Sequence, residues 1–310
     1  MITVIAGGVG AARFLQGLLA VHPPSDLTIV SNVGDDAEFF GLHVSPDIDI
    51  VLYHLTGLAD EERGYGLRGD TAHTLDALTH FGYDPWFRLG DRDLATCIAR
   101  SDLLHRGRTL TEATGEIARA LGLLTPLLPV TDDPLRTIIR TDDGLLEFQE
   151  YFVKRGALDP VREVIFQGAE TARPTPDVLE SIRQAEVVLL SPSNPLVSIG
   201  PVLAVPGLRQ ALRDTPAKIA AVSPIVGGAA LKGPTAHMLR DQGLETSAVA
   251  IARLYRDFLD LLIIDDVDAH LRPDIEALGL EVAVTDTIMS SMEKKVALAR
   301  IVLSTLTTSP

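Results

Sequence analysis

The amino-acid sequence predicts an α/β protein with a Rossmann-like, doubly wound and mainly parallel sheet. Short β-branched and apolar runs alternate with helical periods along most of the chain, a pattern typical of strands that helices cover on both faces. The first run, Ile2–Ala6, passes directly into glycines and then into a helical period, which is how such folds begin. We expect this core to comprise residues 1–58 and 157–310 of a single unit.

The order of elements in the core follows from the same alternation. The first helix is expected to reach about Ala20, and the second strand is Leu27–Ser31, followed by the loop Asn32–Pro46 and a helix that begins near Asp47. Four later runs are also expected to be strands: Glu186–Ser191, Lys218–Ser223, Leu261–Asp265 and Glu281–Thr285. Right-handed crossovers place the strand-to-helix loops at one sheet edge, where ligands bind.

The middle of the chain interrupts this rhythm and predicts an inserted helical and β-hairpin subdomain at 59–156, packed over the ligand edge. Residues 60–125 have mainly helical periods, and Asp70 and Asp91 each stand where a residue would cap a helix. A hairpin is expected farther along, with Arg136–Thr141 and Leu145–Phe152 on either side of Asp142–Asp143–Gly144.

Composition excludes several classes of partner. The 42 acidic residues outnumber the 27 basic ones and give a formal charge of −15, so nucleic acid is not an expected partner. No apolar run reaches the roughly 18 residues of a membrane span, and the N-terminus has the pattern of a strand and not of a signal peptide. We therefore expect a cytoplasmic protein. The single cysteine, Cys97, is expected to be a buried structural thiol.

A glycine turn follows the first strand and predicts a phosphate-binding site. Gly7, Gly8 and Gly10 open the first helix, where backbone N–H groups and the helix dipole attract anions. Arg13 stands where a dinucleotide fingerprint has its third glycine, and the second strand ends in Ser31-Asn32 and not in an acid, which disfavours an NAD-dependent reductase. A tight turn without a ligand stays an alternative.

Acidic residues cluster after the second strand and suggest a magnesium site. Asp35, Asp36 and Glu38 precede Asp47 and Asp49 within fifteen residues. Carboxylates beside a phosphate site suit Mg²⁺, and Asp47 and Asp49 are the expected ligands. Favourable charges in the first turn of a helix, or a plain acidic surface, are the alternatives.

Two more segments carry candidate binding groups. Arg88, Asp91 and their neighbours form a charged cluster around a glycine, which suits either a salt-bridged helix cap or a grip on phosphate. The second segment is a stiff loop after an apolar strand, which displays hydroxyl and amide groups between prolines at Ser193, Asn194, Pro195 and Ser198. Histidine spacings of zinc hydrolases, nucleophile elbows and P-loops do not occur in the sequence.

Together these motifs resemble one family, the CofD 2-phospho-L-lactate transferases of coenzyme F-420 biosynthesis. The resemblance runs nearly end to end through GGVGAARF, NVGDD, SPDID, RLGDRDLAT, FQEYFVKRG, SPSNPLVSIGP, SPIVGG and YRDFLDLLIIDD. It implies a Mg²⁺-dependent, homodimeric transferase with a Rossmann-like fold. The donor would be a GDP-linked phospholactate or phosphoenolpyruvate, in which the outer phosphate of the diphosphate is the one that bears the three-carbon acid. The acceptor would be the deazaflavin Fo, and the products GMP and (dehydro) coenzyme F-420-0.

The resemblance also suggests roles for residues. Asp49 matches the family aspartate of the acceptor and metal region, where metal ligand and base are competing roles, and Asp47 stands beside it. Arg88, where some relatives have lysine, and Asp91 are implied in Fo contact. The glycine turn with Arg13, and the loop 193–198, are implied in holding the guanosine diphosphate. A related family of non-catalytic UDP-sugar-binding regulators shares the glycine turn and the proline-rich loop and is the alternative function.

Overall fold

The computed structural model describes residues 1–231 and 233–307, and its strands form four sheets. In chain order they are β1 (Ile2–Ala6), β2 (Leu27–Ser31), β3 (Ala37–Phe39), β4 (Leu42–Val44), β5 (Leu127–Pro129), β6 (Arg136–Thr141), β7 (Gly144–Glu147), β8 (Glu163–Gln167), β9 (Val187–Leu190), β10 (Lys218–Val222), β11 (Ile225–Val226), β12 (Ala229–Ala230), β13 (Leu261–Ile264) and β14 (Glu281–Val284). Seven of them build the central sheet in the order β14-β13-β10-β9-β1-β2-β5. All its neighbouring pairs are parallel, and the predicted α/β fold class is confirmed.

Helices pack against both faces of this sheet. They are α1 (Gly8–Leu19), α2 (Pro46–Leu55), α3 (His73–Leu78), α4 (Asp91–His105), α5 (Leu110–Ala120), α6 (Pro176–Gln184), α7 (Ile199–Ala204), α8 (Leu208–Asp214), α9 (Thr235–Asp241), α10 (Ala248–Tyr255), α11 (Arg272–Glu276) and α12 (Met292–Thr307). The chain runs from β1 to β2 in one direction and from β9 to β14 in the other. Right-handed crossovers therefore put α1 on one face and α7, α8 and α10 on the opposite face. Helices α2 and α12 pack beside α1.

The central strands are almost entirely buried, which explains their apolar sequences. Every residue of β1 and β2 is buried, and the one polar side chain of β1, Thr3, donates its hydroxyl to the carbonyl of Ser181 at 2.8 Å. The chain reverses direction across the sheet between β1 and β9. Ligands of open parallel sheets bind at such a switch point, outside the carboxyl ends of the strands.

Two strands pair across the boundaries predicted for the insertion. β5 lies within 59–156 but pairs with β2 in the central sheet, because its apolar residues complete that sheet's edge. β8 lies outside the predicted insertion but pairs with β6, making a three-stranded sheet with the predicted hairpin.

The structure differs from the expected elements at several positions. The predicted loop Asn32–Pro46 contains the hairpin β3–β4, whose turn places Phe40 and Gly41 at positive φ. The second hairpin strand ends at Glu147, and a π-helical turn follows at Glu150–Lys154. The last helix begins at Met292.

Asp70 and Asp91 do cap helices, but neither occupies an N-cap position, which is Ala72 for α3 and Gly90 for α4, and each caps the start of the other helix. The carboxylate of Asp70, before α3, accepts hydrogen bonds from the backbone N–H groups of Arg92 and Asp93 at the start of α4. Asp91, the first residue of α4, accepts from the N–H groups of His73 and Thr74 at the start of α3. The two helix starts therefore hold each other. Cys97, on α4, is a buried free thiol, as predicted.

Candidate active site

Three segments meet at the glycine turn between β1 and α1. Gly7 is buried, and a Cβ atom built on it would lie 2.6 Å from Oδ2 of Asp47 and 2.8 Å from Cβ of Ser198. Gly8 begins α1 at a φ of +72°, and its backbone N–H acts to lower the pKa of the Asp47 carboxyl. The glycines thus allow the first turn of α2 and the start of α7 to approach the backbone closely.

Asn32, at the end of β2, connects these segments. Its side chain is fully buried, and Nδ2 lies 2.8 Å from Oδ1 of Asp35, 2.9 Å from Oδ2 of Asp47 and 3.3 Å from the carbonyl of Val197. Its Oδ1 accepts a hydrogen bond from the N–H of Gly34 at 2.7 Å. A neutral amide donor therefore separates two buried carboxylates that would otherwise repel each other.

Among the described residues, no lysine or arginine forms an ion pair with Asp35 or Asp47. Burial raises the pKa of Asp35 well above its ordinary value, and the charge of Asp47 raises it further. Burial also raises the pKa of Asp47 to about 7, against the hydrogen bond from Asn32. Asp36 is buried beside them; its Oδ2 accepts hydrogen bonds from Ser45 and lies 2.8 Å from Nε2 of His43.

The pair Asp35 and Asp47 can hold a divalent cation, whereas the group of three possible ligands that lie within 4.8 Å of one another among the described residues is Asp49, Asp93 and Cys97. Oδ1 of Asp36 is buried and has no hydrogen-bond partner among the described residues, and the carboxylates of Asp35 and Asp47 are held a single amide apart. Carboxylate oxygens are the ligands that Mg²⁺ prefers, and a cation would offset the burial and the charge repulsion that raise the two pKa values. The structure therefore favours Asp35 beside Asp47 as a candidate ligand pair.

Asp49 lies elsewhere on α2. Residues two apart on an α-helix point about 200° apart, and Asp49 accepts two hydrogen bonds from the guanidinium of Arg100 on α4, from Nη1 at 3.0 Å and from Nη2. Arg100 is fully buried and Asp49 nearly so. The predicted metal pair Asp47 and Asp49 is therefore divided between two sides of the helix, and its role in binding stays a prediction.

The proline-rich loop closes the other side of the glycine turn. Ser193 donates its hydroxyl to the carbonyl of Gly7 at 2.7 Å, and Oδ1 of Asn194 accepts a hydrogen bond from the N–H of Leu196 at 2.9 Å. Pro195 is buried, and Ser198 stands at the N-terminus of α7. Ser193 and Asn194 thus brace the loop, and Gly10 contacts it too, since a Cβ there would collide with the carbonyl of Pro192.

The other predicted contacts lie apart from this convergence. The Arg88 guanidinium is largely exposed, 3.6 Å from Asp76. The Asp91 carboxylate accepts hydrogen bonds from the backbone at the start of α3. The hydrogen bond from the Thr71 hydroxyl contributes most to lowering the pKa of Asp91. Arg13 is half-buried on α1; burial lowers the pKa of His54, and the charge of Arg13 contributes a smaller part of that lowering.

Two central residues were not identified as site residues from the sequence. In the sequence, Asn32 indicates only that the second strand does not end in an acidic residue. Its amide becomes informative once the structure shows Asp35 and Asp47 around it. Arg100 had a signal that could have revealed it, since it falls on the helical face of Asp93, Leu94 and Cys97, all buried. A charged residue in such a stripe requires a buried partner.

Comparisons with known proteins cover nearly the whole chain. The family model described as 2-phospho-L-lactate transferase CofD matches residues 2–302. The chain belongs to the CofD family. A phosphoenolpyruvate transferase of Kitasatospora aureofaciens is 40% identical over 310 aligned positions, covering 98% of this chain and 97% of that protein. A 2-phospho-L-lactate transferase of Methanosarcina mazei is 38% identical over 301 positions, covering 97% and 98%.

A solved structure shows the same fold at much lower identity. A UPF0052-family protein of Bacillus halodurans superposes on this CofD-family chain with a TM-score of 0.65 at 16% identity, covering 97% of this chain and 98% of that one. At that identity the likeness concerns the fold alone. Among the described residues, no helix has the length and apolarity that crossing a membrane requires.

Proposed function

We propose that this CofD-family member transfers a phospholactyl or phosphoenolpyruvyl group from a guanosine-diphosphate-linked donor to the terminal ribityl hydroxyl of the deazaflavin Fo. GMP leaves, and (dehydro) coenzyme F-420-0 is the product. The observation that carries the proposal is the meeting of Gly7, Asn32, Asp47 and Ser198 at the switch point of the sheet. Names of relatives at about 40% identity supply the group that is transferred.

The donor's diphosphate belongs, in this proposal, at the glycine turn. The turn offers backbone N–H groups at the N-terminus of α1, where an anion is stabilised. The carboxylates of Asp47 and Asp35 would repel phosphate oxygens, so a cation has to lie between the carboxylates and the diphosphate. A bound Mg²⁺, held by these two aspartates, would neutralise the diphosphate and the departing GMP.

Transfer then requires alignment more than covalent participation by the protein. The hydroxyl oxygen of Fo forms a bond to the donor phosphorus that bears the three-carbon acid, and the bond from that phosphorus to the oxygen of GMP breaks. Asp49 is proposed to accept the hydrogen bond of the attacking hydroxyl, since Arg100 uses one acceptor position on each carboxylate oxygen and leaves others free. The hydroxyl proton passes to solvent.

The remaining assignments are also proposals. Arg88 and Asp91 would contact Fo, and Arg13 would bind the donor carboxylate. A homodimer and a cytoplasmic location follow from the family resemblance.

Mass spectrometry of the product tests the proposal. The protein is incubated with Fo, Mg²⁺ and either the phospholactyl or the phosphoenolpyruvyl donor, and one donor is expected to yield GMP with a phosphodiester-linked Fo. Absence of any Fo adduct with both donors would contradict it. Binding of a UDP-sugar without quenching of Fo fluorescence would favour the alternative, a non-catalytic regulator.

A further inference from the structure

Arg100 is a buried cation that the transfer proposal above leaves without a task. Its side chain is 0% exposed, and its two terminal nitrogens donate to the two oxygens of Asp49. A buried guanidinium is tolerated only when it is paired, so Arg100 and Asp49 have to be placed together. The pair joins the middle of α4 to the first turn of α2.

A second contact joins the same two helices one turn farther along. The hydroxyl of Tyr53, four residues after Asp49 on α2, donates to Oδ1 of Asp93 on α4 at 2.7 Å. The backbone N–H of Asp93 is in turn held by Asp70. Asp93 therefore connects the start of α4 both to Asp70, through its backbone N–H, and to α2, through its side chain.

The fork geometry matters beyond the charge. Two parallel N–H donors on one carboxylate fix both its position and the rotation of its plane, which a lysine ammonium cannot do. On α2 the opposite side of the same turn carries Asp47, which faces the glycine turn. A carboxylate held from the α4 side has its plane fixed, so the remaining acceptor position on each of its two oxygens also has a fixed direction.

We propose that Arg100 is a positioning residue, whose guanidinium fork orients the Asp49 carboxylate toward the acceptor hydroxyl. The inference rests on the proposed function, because the hydroxyl that Asp49 would contact belongs to the proposed acceptor, Fo. It assigns the buried face of α4 a task in the reaction beyond stabilising the fold.

Steady-state kinetics of Arg100→Lys, alone and combined with Asp49→Asn, tests this inference. Lysine keeps the charge and removes the fork. We expect kcat to fall at least tenfold, while KM for donor and acceptor and the Mn²⁺ dissociation constant change less than threefold. In the Asp49→Asn background the same substitution should change kcat less than twofold, since Arg100 acts through Asp49. Arg106→Lys is the matched control, because its partner Asp102 and Arg106 itself are exposed at the end of α4.

The outcomes separate the two proposals. An inactive wild-type protein sinks the proposed function. An active wild type with near-normal kcat in Arg100→Lys, or with an equal loss in the Asp49→Asn background, overturns the role of Arg100. If Arg100→Lys does not fold, the double variant Arg100→Gln/Asp49→Asn, a neutral amide pair, takes its place. Its kcat should equal that of Asp49→Asn, and a further loss of tenfold or more would refute the inference.

Discussion

Gly7 shows at the scale of one residue how closely the loops of the site approach each other. Its φ of −164° is open to any amino acid, so backbone strain does not require a glycine there. What requires it is space, because the nearest side-chain atoms come from two other segments of the chain. A methyl group at this position has to displace Asp47 or Ser198.

Gly7→Ala is therefore expected to reduce binding without unfolding the protein. Overpacking of this kind costs about 1–3 kcal/mol, and displacement of Asp47 should weaken binding of GDP with Mg²⁺ at least tenfold. Calorimetric titration and thermal unfolding measure the two effects. Gly115→Ala, within α5 and with no atom within 4 Å of the new Cβ, is the control. It should bind GDP normally and be more stable by about 0.5–1 kcal/mol. Equal GDP affinity in both variants would contradict the packing at Gly7.

At the scale of elements, the reciprocal caps hold α3 and α4 together. Asp70→Ala removes the acceptor for two N–H groups at the start of α4 and is expected to lower the free energy of unfolding by about 1–2 kcal/mol. Urea denaturation measures it. Asp76→Ala, which removes an exposed carboxylate 3.6 Å from Arg88, should cost less than about 0.5 kcal/mol. A smaller loss for Asp70→Ala than for Asp76→Ala would show that the caps do not stabilise the start of α4.

An ion-pair cluster between α8 and the end of α10 makes part of the stability dependent on pH. Asp257 accepts hydrogen bonds from Arg209 and Arg213, and the bond from Arg209 contributes most to lowering its pKa to about 2. The native protein binds fewer protons here than the unfolded chain, so this stability is present above the ordinary pKa of 3.8 and is lost as pH falls toward 2.

Asp257→Asn should consequently be less stable than the wild type at pH 7, by about 0.5–1 kcal/mol because the cluster is partly exposed. The difference should shrink as pH is lowered from 4 toward 2. Urea unfolding at successive pH values measures it, with Asp102→Asn, an exposed pair within one helix, as control. A difference that stays constant down to pH 2 would assign the effect to packing and not to charge.

At the scale of the whole molecule, local patterns predicted the sheet better than the site. Apolar runs such as Val187–Leu190 identify strands because buried parallel strands need nothing else. The short β5 could not be recognised as a strand of the central sheet, since its place at the edge depends on pairing with β2 nearly a hundred residues earlier.

The candidate site was predictable in its parts and not in their pairing. Glycines and aspartates near strand ends indicated a phosphate and cation site, and the structure brings Gly7 and Asp47 together. The sequence could not show that Asp49 faces Arg100 while Asp47 faces Asn32, because the two aspartates are distinguished only by what packs on each side of α2.

Titration of GDP into the wild type and Asp47→Asn, with and without Mg²⁺, tests the central claim most directly. Asparagine has the same shape and relieves repulsion with Asp35, so the variant should unfold at the same or a higher temperature. The wild type should need Mg²⁺ for tight binding, and Asp47→Asn should bind at least tenfold more weakly, about 1.4 kcal/mol. Unchanged GDP affinity and unchanged Mg²⁺ dependence in Asp47→Asn would mean that the glycine turn and its aspartates do not form the nucleotide site.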